Sequence, residues 1–352
     1  MKKFSVLLCA FVGLLFSACG GGEEGWKRVD GVIVFDTPER EPGQKSVLGL
    51  RTAPMETVRV GFIGLGMRGP GAVERFTHLD GVEIKALCDL YPERVESAQG
   101  ILSKRGFPEA ASYSGEEGWK QLCERDDIDL VYIATPWLKH VPMAVYAMEH
   151  GKHVFCEKPL GTNVAQCKEA EKVVEAHPEL VFQLGFMRRF DPSYAEAKRR
   201  VDAGEIGKVV LVRSCTQDPR STIESTLKFL PHSGGQFLDM CVHDLDLIRW
   251  FTGSNIRNVW AIGGVFEFDL CRELHDTDNA AAMVQCENGA MGFLFANRTH
   301  AAGCNVETEI VGTHGTLRIA PVGARNLLQV VDEHGARQEY YPDFMSRWHT
   351  AF

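Results

Sequence analysis

Residues 58–69, VRVGFIGLGMRG, are the stretch that decides the fold. An apolar run typical of a buried strand leads into Gly64, Gly66 and Gly69 in the spacing GxGxxG, and a helical pattern, RGPGAVERFTHL, follows at once. Glycines here allow a tight turn and a close approach of the backbone, while a helix N-terminus offers free N–H groups and a positive dipole end. The motif therefore predicts a site for the pyrophosphate of a dinucleotide.

The residues after this motif alternate between short apolar strands and amphipathic helices. The predicted strands are VEIKALCD, IDLVYIAT, HVFC and LVFQLGF, and the predicted helices are PERVESAQGILSKRG, HVPMAVYAMEHG and NVAQCKEAEKVVEAH. Such alternation indicates βαβ units and a parallel sheet that helices cover on both faces. We therefore predict an α/β fold whose N-terminal domain, residues 57–180, is a Rossmann domain with a doubly wound parallel sheet.

The second half of the chain has the period-two alternation of half-exposed strands. Its predicted strands are GKVVLVRSCTQ, IRNVWAIGGVFEFDL, NAAAMVQCEN, GAMGFLFANRTH, VETEIVGTHG and GTLRIA. Turns with Gly and Asn separate them, which is typical of an antiparallel sheet with one solvent-facing side. We predict a C-terminal α+β domain with a large, mostly antiparallel sheet over residues 181–352, and a ligand site between the two domains.

Composition limits the classes of function. A chain of 352 residues with 45% hydrophobic content is long enough for about two domains. The formal net charge is -9, and the basic residues form no block along the chain, which argues against nucleic acid or anionic lipid as a partner. The histidines lack a third ligand in zinc spacing, so we predict no metal site.

The first residues have the pattern of an export signal. MKKFSVLLCAFVGLLFSAC, residues 1–19, begins with Lys2 and Lys3, continues with an apolar run too short to span a bilayer convincingly, and ends in small residues before Cys19. This resembles a bacterial lipoprotein signal with Cys19 as the lipidated residue, and an ordinary secretory signal is the alternative. Residues 20–56 are then a tether and an N-terminal arm. We expect an exported body held at a membrane surface by lipid, or a cytoplasmic protein if the signal is not used.

Two charged residues follow predicted strands of the Rossmann domain. Asp89 ends the second strand about twenty residues beyond the last glycine, where an acid can bind a ribose 2′-hydroxyl and repel a 2′-phosphate, so NAD is favoured over NADP. A helix N-cap is the alternative role. Lys158, in HVFCEKPL, stands at the carboxyl end of a parallel strand and should point into the ligand crevice, where its charge would stabilise an alkoxide. A surface lysine is the alternative.

A helical stretch of the second domain, SGGQFLDMCVHDLDLIRWF, carries an acid and a histidine four residues apart. Asp239 and His243 should project from one helix face, and a histidine beside a carboxylate can take a hydroxyl proton near neutral pH. Helix packing and capping is the alternative. Asp244 and Asp246, on the neighbouring faces, are interpreted as solvated charges.

The order of these motifs resembles the Gfo/Idh/MocA oxidoreductases over residues 58–352. The shared pattern is GxGxxG, a TPxxxH segment at residues 135–140, GKHVxxEKP at residues 151–159 and a distal HD pair on a helix. The resemblance implies NAD as cofactor, Lys158 in the active site, and His243 as the acid/base, oriented by Asp239. Carried over by motif, further cofactor-binding residues are Met67, Arg68, Thr135, Pro136, His140 and Glu157. Residues implied near the substrate are Met187 and Arg188 of FMRRF and Asp218 of TQDP, where some inositol dehydrogenases have Asn.

Within that family the two halves resemble different members. Residues 46–154 look like the NAD-dependent α-N-acetylgalactosaminidases of glycoside hydrolase family 109, which are often exported lipoproteins. Residues 155–352 look like inositol 2-dehydrogenases, and Lys158 stands in an EKP where the glycosidases typically carry EVP. Because substrate choice resides in the second half, we predict oxidation of a ring hydroxyl of a cyclic polyol or sugar, as in conversion of myo-inositol to its 2-keto form.

Two alternatives and two further expectations accompany this prediction. Free NAD is scarce outside the cytoplasm, which favours a redox-neutral glycosidase that oxidises, eliminates, hydrates and re-reduces one substrate; a non-catalytic sugar-binding lipoprotein is the other alternative.

The chain ends at SRWHTAF, where the family usually continues into a further helix, so we expect the second domain to be truncated. By analogy we also expect a homo-oligomer that assembles through the open face of the second sheet at NAAAMVQCEN and GAMGFLFANRTH.

Overall fold

The computed structural model describes residues 26–29, 32–35, 50–227, 230–301, 303–322, 325–332 and 334–341. The predicted signal with Cys19 and the C-terminal stretch SRWHTAF lie outside these residues. The chain divides into two units, Met1–Ser46 and Val47–Phe352. In the first unit, strands β1 (Trp26–Val29) and β2 (Val32–Phe35) pair antiparallel. No helix in the described ranges has both the length and the hydropathy that a membrane span needs.

The second unit begins with a six-stranded parallel sheet. Its strands are β3 (Val58–Ile63), β4 (Val82–Asp89), β5 (Ala111–Ser114), β6 (Leu130–Ile133), β7 (His153–Cys156) and β8 (Phe182–Leu184), in the order β5-β4-β3-β6-β7-β8. The helices between them are α1 (Gly69–Phe76), α2 (Pro92–Lys104), α3 (Gly118–Cys123), α4 (His140–Glu149) and α5 (Val164–Ala176). Two separate apolar clusters, one on each face, bury the sheet. The predicted doubly wound Rossmann domain is confirmed.

Two details of this domain differ from the sequence pattern. The short pair β5 and α3 was not predicted, because ASYS alternates half-buried and exposed residues and has no apolar run. The sheet also continues past residue 180, since β8 pairs with β7 through Leu184. The parallel sheet therefore ends a few residues beyond the predicted domain limit.

An eight-stranded sheet forms the second domain. Its strands are β9 (Val209–Pro219), β10 (Ile256–Gly264), β11 (Asn279–Cys286), β12 (Met291–His300), β13 (Asn305–Gly312), β14 (Thr316–Val322), β15 (Arg325–Asp332) and β16 (Gly335–Tyr341), in the order β10-β11-β12-β9-β13-β14-β15-β16. The accompanying helices are α6 (Pro192–Asp202), α7 (Ile223–Leu227), α8 (Val242–Thr252) and α9 (Asp269–Glu273). Only β9 and β12 pair parallel; the other neighbours are antiparallel. The predicted mostly antiparallel sheet is confirmed.

Helix α8 positions the site because it packs on one face of this sheet. Leu247 and Ile248 of α8 are fully buried in a cluster with Val212 and Leu294 of the sheet. The predicted strand IRNVWAIGGVFEFDL is wrong in its second half: β10 ends at Gly264 and α9 follows. The cause is the buried carboxylate of Asp278, which accepts hydrogen bonds from three successive backbone N–H groups, those of Phe266, Glu267 and Phe268, and so turns the chain out of the strand.

Candidate active site

The glycine-rich loop between β3 and α1 is packed backbone against backbone. Gly64 has φ +96°, and a Cβ there would lie 2.6 Å from the carbonyl carbon of Ala134. A Cβ on Gly69 would overlap the carbonyl oxygen of Gly64. A Cβ on Gly66 would meet only Arg94, at 3.5 Å, so the protein leaves space above this residue. The loop therefore has the cradle that a pyrophosphate requires, and the residues present fit a dinucleotide.

The predicted residues at the tip and base of this loop have different environments. Met67 is 70% exposed, and Arg68 beside it is also exposed. Asp89 is buried at the end of β4, where its Oδ2 accepts a hydrogen bond of 2.7 Å from the Leu65 N–H. Its Oδ1 accepts from the Tyr91 N–H at 3.1 Å and lies 3.3 Å from Arg94. Asp89 thus braces the loop, and contact with a ribose stays a prediction.

His140 ties together the ends of two neighbouring strands. Its side chain is fully buried, with Nδ1 2.7 Å from the carbonyl oxygen of Pro159 and Nε2 2.9 Å from that of Thr135. Burial lowers the pKa of this imidazole, although both carbonyl contacts oppose the shift. Thr135 and Pro136 follow β6 directly. The histidine therefore fixes this predicted cofactor segment against the segment that carries Lys158.

Glu157 faces the interior of the Rossmann domain. It is buried, and its Oε1 accepts a hydrogen bond of 2.7 Å from the Tyr132 hydroxyl. Burial, followed by the charge of Glu157, raises the pKa of Tyr132. This contact gives Glu157 a structural role that the sequence pattern did not indicate.

Lys158 reaches from the Rossmann domain to the second domain. Its Nζ donates to the backbone carbonyl of Asp239 at 2.6 Å and to the Asp239 Oδ1 at 3.1 Å. The other carboxylate oxygen of Asp239 accepts from Arg298 at 3.0 Å. Burial opposes the ionisation of Asp239, but the two cations outweigh burial and lower its pKa. We call Lys158, Asp239 and Arg298 the junction triad.

The helix that carries Asp239 and His243 is irregular. Asp239 lies in a π-helical turn, Phe237–Cys241, which the sequence pattern did not indicate, and His243 lies in the first turn of α8. That both side chains project from one helix face stays a prediction. The π-helical turn aims the Asp239 carboxylate at the two cations. His243 is buried, and its ring meets the Phe186 ring edge-on at 6.1 Å between centroids. Asp239 stands at the junction, and the catalytic role of His243 stays a prediction.

Arg188 and its acidic partners form a buried network behind this junction. Arg188 is 3% exposed and donates to Asp244 at 2.9 Å and to the Thr216 hydroxyl at 2.5 Å. Asp244 and Asp246 are both buried, and Asp246 is paired with Arg189 at 2.7 Å. The interpretation of these two acids as solvated charges is wrong, because each neutralises an arginine that the 187–190 turn brings to α8.

Asp218 lies on the same face of β9 as Thr216, since side chains alternate along a strand. Its Oδ1 is 3.8 Å from the Cys304 sulfur. Burial and the charge of Asp239 raise the pKa of the Asp218 carboxyl; Arg298, Lys158 and Arg68 oppose this shift. Asp218 therefore shares its surroundings with the junction triad and with the glycine-rich loop. Met187 begins a short 3-10 turn, Met187–Phe190, and is half-buried.

Arg298 is a residue of this junction that the sequence did not reveal. It is one arginine in the strand sequence GAMGFLFANRTH, and no motif marks it. Only the pairing of β12 with β9 brings it near Asp218 and Asp239. Within the described ranges, no group of three or more His, Cys, Asp or Glu residues could hold a metal ion.

Comparison with known proteins gives two family matches. Residues 58–186 match the model described as oxidoreductase family, NAD-binding Rossmann fold, and residues 194–318 match the GFO/IDH/MocA C-terminal domain. Scyllo-inositol 2-dehydrogenase (NAD(+)) of Bacillus subtilis is 34% identical over 301 residues, which cover 84% of this chain and 83% of that protein. The structure of scyllo-inositol dehydrogenase from Lactobacillus casei with bound NAD(H) and scyllo-inositol is 37% identical, with a TM-score of 0.71 and coverage of 84% and 85%.

A different kind of relative matches with higher identity over a shorter stretch. Glycosyl hydrolase family 109 protein 4 of Phocaeicola vulgatus is 53% identical over 176 residues, which are 47% of this chain and 34% of that protein. The chain thus spans about a third of the length of the first curated relatives it matches. Both kinds of relative that the motifs suggested are present among these matches.

Proposed function

Because the chain belongs to the Gfo/Idh/MocA family of NAD-binding oxidoreductases, we propose that it oxidises a ring hydroxyl of a cyclic polyol or sugar. The observation that carries this proposal is the position of Lys158. Lys158 follows β7 of the cofactor sheet and donates hydrogen bonds to Asp239. Asp239 lies in the π-helical turn that precedes α8, and His243 lies in the first turn of α8. An ammonium group at the place where the two domains meet is suited to stabilise a developing alkoxide.

In the proposed reaction, His243 takes the proton from the substrate hydroxyl and Lys158 stabilises the resulting oxyanion. NAD bound at the glycine-rich loop would supply the acceptor for the hydride that leaves the carbinol carbon. The glycine-rich loop holds the pyrophosphate, with Arg68 at its exposed tip and Asp89 bracing its backbone. Asp239 anchors Lys158 in this scheme, and its predicted second task, orienting His243, remains part of the proposal.

We propose an inositol-like polyol as the substrate. Relatives named as inositol dehydrogenases align with most of the chain, including the domain that carries Met187, Asp218 and His243. Asp218 supplies a hydrogen-bond acceptor for a ring hydroxyl, whereas an asparagine there would supply both a donor and an acceptor. The preferred inositol isomer should therefore depend on residue 218.

A redox-neutral glycosidase is the second candidate. It is favoured by the higher identity to family 109 glycosyl hydrolases, which extends over less than half of the chain. Such an enzyme would oxidise a sugar, eliminate the group beside the oxidised carbon, add water and return the hydride. The EKP lysine is the observation against it, since the sequence pattern of these glycosidases has valine at that place.

We also propose export as a lipoprotein with Cys19 as the lipidated residue. The N-terminal pattern of Lys2, Lys3, an apolar run and small residues supports it. Labelling of expressing cells with a radioactive fatty acid should mark the protein that carries Cys19 and leave a Cys19→Ser variant unlabelled. Equal label on both would refute lipidation at this residue.

Self-association through the second sheet is a further part of the proposal. Trp260 of β10 and Met283 of β11 are direct cross-strand partners, and they are 52% and 56% exposed. Ile262 and Met291 extend the same exposed apolar face. Light scattering of the purified protein should give an oligomer, and Met283→Lys should lower its mass; a monomeric wild type would refute this part.

The experiment that tests the reaction compares two assays on the purified protein. The first follows NADH absorbance with NAD⁺ and myo- or scyllo-inositol, and the second follows a chromogenic α-N-acetylgalactosaminide without added NAD⁺. Stoichiometric NADH that disappears in Lys158→Ala supports the dehydrogenase. Chromophore release without net NADH would overturn it in favour of the glycosidase, and cofactor binding without turnover in either assay would leave a sugar-binding protein.

A further inference from the structure

Arg298 donates a hydrogen bond to Asp239, the acid that also accepts one from Lys158. Its side chain is 3% exposed, and one terminal nitrogen donates to Asp239 Oδ2 at 3.0 Å. The backbone N–H of Arg298 donates to the Asp278 carbonyl at 2.9 Å, which fixes the residue at the end of β12. The Arg298 Nε is buried and has no hydrogen-bond partner within the described ranges. Stability alone does not require this incompletely bonded cation, because a buried ion pair that is replaced as a whole by apolar residues is often no less stable.

The two cations share a single carboxylate. Lys158 bonds Oδ1 and Arg298 bonds Oδ2, so the junction triad carries one negative and two positive charges. Without Arg298, the ammonium of Lys158 and the carboxylate of Asp239 would form a neutral pair. The negative charge of Asp239 would then cancel most of the electrostatic potential that Lys158 produces at the substrate. With Arg298 present, the triad keeps a net positive charge next to α8. A net positive charge favours the ionised form of any hydroxyl that approaches it.

The other described charged groups near the junction are one acid and one arginine, so together they leave this excess in place. Burial and the charge of Asp239 raise the pKa of Asp218 on β9, which is the acid. Arg68 adds a further positive charge from the glycine-rich loop. His243 lies in the first turn of α8 and its ring contacts Phe186. The two arginines of the 187–190 turn are paired with Asp244 and Asp246 and are therefore neutralised.

We infer that Arg298 is a positioning residue that anchors Asp239 and thereby leaves the charge of Lys158 available to the substrate oxygen. The inference rests on the proposed oxidation of a ring hydroxyl. It assigns to β12 a part in the chemistry, although that strand contributes no residue to the motifs of the sequence.

The test compares Arg298→Gln with Arg213→Gln as the matched control. Arg213 lies on the opposite face of the same sheet, is 38% exposed and pairs with Glu309 at 3.2 Å, so its replacement removes the same charge away from the junction. The measurement is kcat/KM for polyol oxidation as a function of pH. In Arg298→Gln we expect the acidic limb of this profile to move up by about one pH unit, with about a tenfold loss of rate below the limb. Loss of the nearby cation raises the pKa of both the bound hydroxyl and the proton acceptor, so both effects have the same sign.

Three results distinguish positioning from general damage. NADH affinity, measured by fluorescence, should stay within about twofold of the wild type, because the hydrogen bonds of Arg298 go to Asp239 and Asp278 and not to the glycine-rich loop. Arg298→Lys, which keeps the charge, should return the limb to within about half a pH unit. An unshifted limb in Arg298→Gln, or an equal shift in Arg213→Gln, would overturn the inference. If Arg298→Gln does not fold, Arg298→Met takes its place: a limb shifted in the same direction would support the inference, and an unshifted limb would overturn it.

A readout that needs no turnover separates this inference from the proposed function. The carboxyl carbon of Asp239 can be followed by NMR during an acid titration. Arg298→Gln should raise the titration midpoint of Asp239, since one of the two cations that lower its pKa is removed. An unchanged midpoint would refute the anchoring role even if the enzyme is active. If the wild type oxidises no polyol and the midpoint still rises, the proposed function fails and the anchoring of Asp239 stands.

Discussion

The glycine-rich loop and the junction triad are built in opposite ways. The loop is held by backbone contacts and by Asp89, which is 24 residues from its partner Leu65. The triad is held by charged side chains from β7, the π-helical turn and β12; Lys158 and Asp239 are 81 residues apart, and Asp239 and Arg298 are 59 apart. A side chain at Gly64 or Gly69 of the loop would overlap backbone atoms, whereas the triad is formed by side-chain atoms. A substitution in the loop should therefore act through steric overlap, and one in the triad through electrostatics.

This contrast predicts which measurable quantity changes. Steric overlap in the loop alters the shape that receives the pyrophosphate, so affinity for the cofactor should fall. Removal of one charge from a buried pair leaves its partner uncompensated and changes the field at the reacting atoms. Turnover should then fall while cofactor affinity changes little. If both kinds of substitution changed the same quantity, the two regions would not have separate tasks.

The largest effect is expected from Lys158→Ala. Loss of the only triad member that donates from the cofactor domain should lower kcat for polyol oxidation by about 10²–10³-fold. The measurement is initial-rate NADH absorbance at saturating NAD⁺ and polyol. Lys104→Ala, which removes an exposed lysine at the end of α2, is the control and should keep wild-type kcat. A loss of less than about tenfold in Lys158→Ala would show that the alkoxide is stabilised elsewhere.

Two glycine variants of the loop sharpen the comparison. Gly66→Ala has space within the protein, so it should fold with the wild-type melting temperature, but its methyl group should reach the pyrophosphate and weaken NADH binding by about tenfold. Gly69→Ala overlaps the Gly64 carbonyl oxygen and should lower the melting temperature as well. Calorimetry and NADH fluorescence titration measure the two quantities. Equal melting temperatures for both variants would contradict the backbone packing described here.

The same contrast explains how much the sequence could predict. The alternation of strands and helices, the glycine spacing and the acid at the end of β4 are local patterns, and the parallel sheet and its loop follow from them. Lys158 was also predictable, because the carboxyl end of a parallel strand is where ligands bind. These features depend on residues that are close in sequence, so a single sequence without an alignment is enough to predict them.

Features that depend on pairing between distant strands could not be predicted. Arg298 becomes part of the site only through the register of β12 with β9, and no local spacing encodes that register. Asp244 has the pattern of a solvated helix charge, yet Arg188 and Thr216, from two other elements, make it a buried partner. The π-helical turn that carries Asp239 was also not predictable, because no local pattern of the sequence marks the extra residue in that turn.

A smaller effect is expected where loop and triad are linked, at His140. His140→Gln retains at most part of the contact to the Thr135 and Pro159 carbonyls, so we expect a loss of about 1–3 kcal/mol in the free energy of unfolding. His177→Gln, with a half-buried histidine beside Glu179, is the control and should change little. Burial lowers the folded-state pKa of His140, so the wild type should lose stability as the pH falls below its unfolded value of about 6.5. Urea unfolding at pH 7 and pH 5.5 measures both effects, and a pH dependence unchanged by His140→Gln would contradict this assignment.

The smallest effect separates the two acids of the junction. Asp218 has a raised folded-state pKa, so its ionisation opposes folding above the unfolded value of about 3.9. Asp218→Asn should therefore be slightly more stable than the wild type at pH 7, and the difference should vanish as the pH falls towards 4. Asp239 has a lowered pKa, so its ionised form stabilises the fold above its unfolded pKa, and this stability is lost as the pH falls through the folded value. Asp239→Asn should accordingly be less stable at pH 7, with a difference that also shrinks in acid. Urea unfolding across this pH range measures the sign of the change in unfolding free energy for each variant. If both variants were destabilised at pH 7, Asp218 would be paired with a cation, as Asp239 is, and the two acids would not have different environments.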